Sequence, residues 1–136
     1  YSDVSIQWGI DFVDQMRQHS PQGETVGERI NGVIRATVLA AAANPRLMTA
    51  HIATMISDDS NSRIDQRRLK TLMPGILNIA VGNLLSKNLK LAASTLQHVL
   101  ISNLILLNAG KTNSDIIISE MERIAACLLS DIWDHS

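Results

Sequence analysis

Residues 96–107 read LQHVLISNLILL, a helix-length stretch with apolar side chains on nearly every side. At 100° per residue, one arc of such a helix holds Leu96, Val99, Leu100, Leu106 and Leu107. The other apolar side chains spread around the rest: Ile101, Leu104 and Ile105. The run is interrupted by polar residues and is shorter than the ~20 apolar residues that cross a bilayer. It therefore predicts a central buried helix, or a helix shared between its own core and another subunit.

Composition favours one folded domain over residues 1–136. Hydrophobic residues make up 46% of the chain and charged residues 18%, which is typical of a globular domain. The net charge of −1 gives no excess of cations for non-specific nucleic-acid binding. Cys127 is the only cysteine and cannot form an internal disulfide. With no export leader, we expect a cytoplasmic protein that does not enter a membrane.

The turn and capping signals predict about six helices, at residues 3–19, 25–43, 45–56, 61–87, 89–109 and 114–133. Thr25 and Glu28 form a capping box, and Asn44 is expected to cap a third helix that has Pro45 at its first position. Pro74 predicts a kink in the fourth segment, and Gly110 ends the fifth. No alternating strand pattern occurs. The predicted fold is all-α.

Each of these helices has an apolar face. On the second it holds Val26, Ile30, Val33, Ile34, Val38 and Ala41; on the third Leu47, Met48, Ile52 and Met55; on the sixth Ile117, Met121, Ile124, Leu128 and Ile132. The first helix repeats Trp8, Phe12 and Met16 at four-residue spacing. These stripes define the expected core.

The order of these helices resembles the C-terminal regulatory domain of the tetracycline-repressor (TetR) family of transcriptional regulators. Asn44-Pro45-Arg46-Leu47 resembles the start of that family's short sixth helix, and residues 55–60 resemble the acidic break before its long seventh. Leu96 to Gly110 resembles the leucine-rich eighth helix, and the last segment the ninth. The resemblance covers almost the whole chain. It does not include the family's N-terminal helix-turn-helix, and nothing before Tyr1 supplies one.

The resemblance implies an orthogonal helical bundle that binds a small, largely apolar effector and pairs with a second copy. The last two long helices are then expected to form a four-helix interface with the same helices of the partner. DNA would be bound only through the headpiece that this chain lacks. The expected effector-binding residues are Trp8, Phe12, Met16, Thr37, Met48, His51, Met55, Met73, Leu77 and His98. The expected dimer residues are Leu96, Val99, Leu100, Asn103, Leu107, Ile117, Met121, Ile124 and Leu128.

His51 is the most informative single residue, because it falls in the middle of an apolar helix face. It is either a polar handle in a ligand pocket or a core histidine bonded to backbone. Thr37 has the same two interpretations, with a bond back to the Val33 carbonyl the commoner outcome for a helical threonine. The methionines and aromatic residues either wall a cavity or fill the core.

Three further sets of polar residues each have a functional and a structural interpretation. Thr95, His98 and Ser102 follow one edge of the fifth segment and either bond an effector or partner or are solvated. Asn103 either sets the register of a helix interface or lies at its rim. The cations of the fourth segment form an anion site or, more commonly, a solvated face: Arg63, Arg67, Arg68 and Lys70.

No pattern points to catalysis, a cofactor or a metal. The four glutamates have no histidine three residues on, so a di-iron bundle is not predicted. No glycine-rich phosphate loop, nucleophile elbow or paired cysteine motif occurs. The sequence therefore favours a regulatory domain. The rival hypothesis is a stand-alone helical module that docks another protein on its second apolar face and encloses no cavity.

Overall fold

The computed structural model describes residues 2–19, 22–56 and 87–134. In these ranges five helices and their turns account for the backbone, and no strand occurs. We label them in chain order: α1, Ser2–Gln18; α2, Val26–Ala43; α3, Pro45–Ile56; α4, Lys87–Asn108; α5, Ser114–Leu128. The all-α prediction is confirmed. The predicted fourth helix, with its kink at Pro74 and its cationic face, lies outside the described residues.

Helix α2 is the centre of the bundle. It contacts α3, α4 and α5, and α1 packs on α3. All six of the apolar residues predicted for its inner face are buried. They meet Leu96, Leu100 and Leu104 from α4 and Ile117, Met121 and Ala125 from α5 in one continuous core. Burying aliphatic side chains of this size stabilises the fold by about 1.5–3 kcal/mol each.

Local signals begin α2 and α5 and end α4 as predicted, whereas the Asn44 side chain donates back to the Ala40 carbonyl of α2 at 2.8 Å. The Thr25 hydroxyl accepts a hydrogen bond from the Glu28 N–H at 3.1 Å, while the Glu28 carboxylate reaches back to the Glu24 N–H at 2.8 Å. The Asn113 side chain caps α5 in the same way. Gly110 ends the turn after α4 with φ +73°, and the N–H of Lys111 donates to the Leu106 carbonyl. This is the Schellman arrangement, in which glycine takes the left-handed position.

The last helix ends earlier than predicted. α5 stops at Leu128 rather than Trp133, and residues 129–134 form turns. The earlier end results from a tertiary contact. The turns bring Trp133 back to the first turn of α2, where the Gly27 N–H donates to the Trp133 carbonyl at 2.9 Å. The indole lies directly over Gly27, so that a Cβ there would sit 2.5 Å from its Cε2. Ile132 is still buried, as its place in the apolar stripe predicted.

Helix α3 is also connected to the far end of α4. The Asn108 Nδ2 donates to the Thr49 hydroxyl at 3.0 Å, and that hydroxyl donates to the Pro45 carbonyl at 2.9 Å. Between α2 and α5, Arg35 and Glu122 approach within 3.6 Å on the surface. Exposed pairs of this kind contribute little to stability, so packing and not charge holds these helices together.

Candidate functional site

His51 lies between α3 and α1 and is only 5% exposed. Its ring meets the Trp8 ring edge to face, with centroids 6.0 Å apart and an interplanar angle of 88°. Such T-shaped pairs are favourable because the positive edge of one ring meets the negative face of the other. The contact fixes the position of the imidazole against α1.

The two ring nitrogens of His51 are in different environments. The backbone of Ser5 forms a hydrogen bond with the ring, and this bond raises the pKa of His51. A bond that raises the pKa must favour the protonated ring, so the ring donates and the Ser5 carbonyl accepts. Nδ1 is buried and has no hydrogen-bond partner among the described residues, so the donor in that bond is Nε2.

Burial has the larger effect and lowers the pKa of His51 below its ordinary value. The cause is desolvation, because the imidazolium loses its hydration in the apolar interior. At neutral pH the ring is therefore uncharged, with its proton on Nε2 and a bare lone pair on Nδ1. The site is a buried hydrogen-bond acceptor that lacks a donor.

The surroundings of His51 are apolar. Met48, one helical turn before it, is buried, and Phe12 and Met16 follow Trp8 on the same side of α1, half-buried against the core. Ser5 and His51 are the only buried polar side chains in the part of the chain that the structure describes. The structure thus brings one polar acceptor together with aromatic and thioether groups.

Ser5 is a functional candidate that the sequence reasoning missed. It is fully buried, and it precedes Trp8 by three residues on the same stripe of α1 as Phe12 and Met16. A small polar residue that continues an apolar stripe was the available signal. Its backbone partner on α3 could not be read from that pattern.

Two of the other predicted effector residues, Thr37 and His98, form hydrogen bonds within their own helices. The Thr37 hydroxyl donates back to the Val33 carbonyl at 2.8 Å, as the commoner interpretation predicted. His98 is exposed on α4, and its Nδ1 lies 2.7 Å from the Ser94 carbonyl. Met73 and Leu77 lie outside the described residues, as does the side chain of Met55.

Most of the predicted dimer residues belong to the core of this chain. Leu96, Leu100, Ile117 and Met121 are buried against α2 and against each other's helices. Val99, Leu107 and Ile124 are half-buried around them, and Leu128 is exposed at the end of α5. Of these residues, only Leu128 is exposed enough to contribute much new surface to a partner.

Asn103 acts at the contact between α4 and α5 of the same chain. Its Nδ2 donates to the Val99 carbonyl at 3.1 Å and lies 3.5 Å from the Met121 sulfur. Asn103 therefore lies at a helix interface, but this interface is between two helices of the same chain. Its amide is already engaged within one chain.

The outward face of α4 is unusual because it carries no charge. We call it the α4 outer face; its members are exposed and follow one another at helical spacing: Leu91, Ser94, Thr95, His98, Ser102 and Ile105. From Leu91 to Asn108 the helix contains no Asp, Glu, Lys or Arg. Leu91 is 69% exposed, and Leu106 and Ile116 extend the apolar surface at the α4–α5 turn. A solvated helix normally has charged residues outside, so this face has the composition of a contact surface.

The same helix is long enough to cross a membrane. Asn88–Asn108 spans 21 residues and has the length and composition of a membrane span, and only 17% of its apolar window is buried, less than in a helix enclosed by the core. The apolar run at residues 96–107 is shorter than a membrane span, but the helix that contains it extends further toward its N-terminus. Its inner face nevertheless packs into the shared core, while its outer face holds four hydrogen-bonding side chains: Ser94, Thr95, His98 and Ser102.

No family model, curated protein or solved structure matches this chain. In the described ranges no three His, Cys, Asp or Glu side chains converge on one point. Cys127 is exposed on α5. Function must therefore be argued from the buried acceptor at His51 and from the α4 outer face.

Proposed function

We propose that this chain is the regulatory domain of a TetR-like transcriptional regulator. It binds a small, largely apolar effector beside His51 and forms a homodimer through α4 and α5. DNA is bound by an N-terminal helix-turn-helix headpiece outside these 136 residues, in the cytoplasm. The observation that carries the proposal is Nδ1 of His51, which has no hydrogen-bond partner among the described residues and lies in an interior that these residues make otherwise apolar. Buried polar atoms are nearly always satisfied, so an unpartnered one requires an explanation, and a ligand that bonds to it is the explanation proposed here.

The position of His51 supplies a mechanism. The imidazole bonds to the Ser5 backbone and contacts Trp8, so it connects α3 to α1. The resemblance to the TetR family also implies that α1 matches that family's fourth helix, which connects the regulatory domain to the headpiece. An effector that binds better to one arrangement of α1 on α3 shifts the population toward it. DNA affinity then changes by as much as the effector distinguishes the two arrangements.

The effector site is tested by a screen of small apolar molecules with paired histidine variants. We expect wild-type protein to bind members of the screen, and His51→Leu to bind them more weakly. His19→Leu, at an exposed histidine just past the end of α1, is the matched control and should leave affinity unchanged. Loss of stability in His51→Leu with unchanged affinity would show that His51 is only a core residue.

The dimer is tested by light scattering and sedimentation at tens of micromolar. The proposal places the α4 outer face and the exposed apolar residues of α5 in the contact, because those surfaces remain available. Ser102→Glu puts a charge in this face and should shift the protein toward monomer. Ala42→Glu adds the same charge at an exposed position on α2 and should not. A wild-type monomer at these concentrations would refute the homodimer.

A second function, a stand-alone helical interaction module, is favoured by the uncharged α4 outer face alone. That module would be monomeric, would bind no small molecule, and would use the same face for another protein. The residues encoded upstream of Tyr1 distinguish the two proposals, because a helix-turn-helix there supports the regulator and its absence supports the module.

A further inference from the structure

The buried acceptor at His51 restricts the chemistry of what can bind beside it. A neutral imidazole has one N–H and one lone pair, and the N–H is already used by the Ser5 carbonyl. Nδ1 therefore has only acceptor capacity. A ligand group that carries a lone pair but no hydrogen would leave Nδ1 unsatisfied and would bring a second unsatisfied acceptor beside it.

Charge is the second restriction. In the described part of the chain no Asp, Glu, Lys or Arg side chain is buried. The charged residues described on α1 and α3 are exposed: Asp11, Asp14, Arg17 and Arg46. An ion placed beside His51 would lose its hydration, and the described residues offer no buried opposite charge to replace it, which is strongly unfavourable.

The third observation is that the two helices that hold His51, α1 and α3, also carry aromatic and thioether side chains. Trp8 meets the imidazole edge to face, and Phe12, Met16 and Met48 lie on the same two helices. Flat, polarisable molecules pack well against such groups. A planar ring with a hydrogen-bond donor at its edge combines all three requirements.

We infer that the effector is an uncharged, planar apolar molecule whose N–H or O–H group donates a hydrogen bond to Nδ1 of His51. This inference rests on the proposed effector site and specifies the class of molecule that occupies it. It separates aromatic heterocycles and phenols, which carry such a donor, from hydrocarbons and ethers of the same shape, which do not.

The test uses matched pairs of probes that differ only in the donor: indole with benzofuran, and phenol with fluorobenzene. Binding is measured by titration calorimetry and by the shift in melting temperature. We expect the donor of each pair to bind about tenfold more tightly, the value of one well-placed hydrogen bond. Indole-3-acetate keeps the N–H but adds a carboxylate, and we expect it to bind more weakly than indole.

His51→Phe provides the matched variant. It keeps an aromatic ring against Trp8 but has no acceptor, so the two members of each pair should bind it equally. His19→Phe removes an exposed histidine to which no binding role is assigned and should keep the preference of wild type. Equal binding of both members to wild-type protein would overturn the inference while leaving an effector site in place. Failure of every probe to bind wild type would overturn the inference and the effector site together.

Nitrogen NMR of the wild-type protein gives a second readout that does not depend on any variant folding. With ¹⁵N-labelled histidine, free His51 should show its proton on Nε2 and a bare Nδ1. Addition of indole should shift the Nδ1 resonance as it accepts a hydrogen bond, and the His98 resonances should not move. A proton found on Nδ1 in the free protein at neutral pH would refute the assignment of the acceptor.

Discussion

The contact between Gly27 and Trp133 makes a sharp prediction about stability. In Gly27→Ala the new Cβ would lie 2.5, 2.7 and 2.8 Å from three atoms of the indole, all closer than van der Waals contact allows. Because Gly27 is in a helix and its N–H is bonded to the Trp133 carbonyl, the first turn of α2 is held in place. The indole must therefore move away and lose packing.

The magnitude follows from three effects, of which two destabilise the fold and one stabilises it. Forcing an extra carbon into a packed contact costs about 1–3 kcal/mol. Displacement of Trp133 also weakens the backbone hydrogen bond, which contributes about 1 kcal/mol. Alanine favours the helical state over glycine by up to about 1 kcal/mol, which offsets part of the loss. We expect Gly27→Ala to lower the free energy of unfolding by about 1–3 kcal/mol.

Urea unfolding followed by far-UV circular dichroism measures this change. The control is Gly32→Ala at an exposed position on the same helix, which should raise the free energy of unfolding by about 0.5–1 kcal/mol. A double-mutant cycle isolates the contact: in a Trp133→Ala background, Gly27→Ala should no longer destabilise. The reasoning is refuted if Gly27→Ala is as stable as wild type, or if its cost is the same without the indole.

Three other predictions concern single groups. Burial lowers the pKa of His51, so the unfolded chain binds more protons than the folded chain at acid pH. The free energy of unfolding should therefore fall as pH drops below about 6.5, and urea titrations over this range should show a shallower fall in His51→Phe. Thr25→Ala removes the N-cap of α2 and should cost about 1 kcal/mol, whereas Thr95→Ala, at an exposed hydroxyl that bonds back to its own helix, should cost less. Arg35→Ala removes one partner of an exposed ion pair and should change the free energy of unfolding by less than about 0.5 kcal/mol; a larger loss would show that the 3.6 Å approach to Glu122 is stronger than its exposure implies.

The helices and the core of α2 could be predicted from the sequence because their causes are local. The threonine cap, the glycine terminator and the spacing of Ile30, Val33 and Ile34 act within a few residues of one another. The end of α5 could not be predicted in this way. Its apolar stripe continues to Ile132, and only the return of Trp133 to Gly27 explains why the helix stops at Leu128.

The candidate site likewise combines features that local sequence predicts with features that depend on tertiary packing. The place of His51 on an apolar face follows from the spacing of α3. Whether its second nitrogen has a hydrogen-bond partner depends on how α1 packs against α3. The spacing of apolar residues does not predict that packing. Likewise, the apolar pattern of α4 could not distinguish residues that fill the core, such as Leu96 and Leu100, from those that face outward. The lack of charge along Leu91 to Ile105 was the signal for the outward surface.

The bond between Asn108 and Thr49 has a consequence for any measurement of effector binding. It joins the helix that carries His51 to the end of the helix proposed to pair two subunits. If an effector at α3 strengthens or weakens that pairing by some factor, pairing must alter effector affinity by the same factor. The apparent affinity would then depend on protein concentration across the dimer's dissociation range, and Asn108→Ala would reduce that dependence.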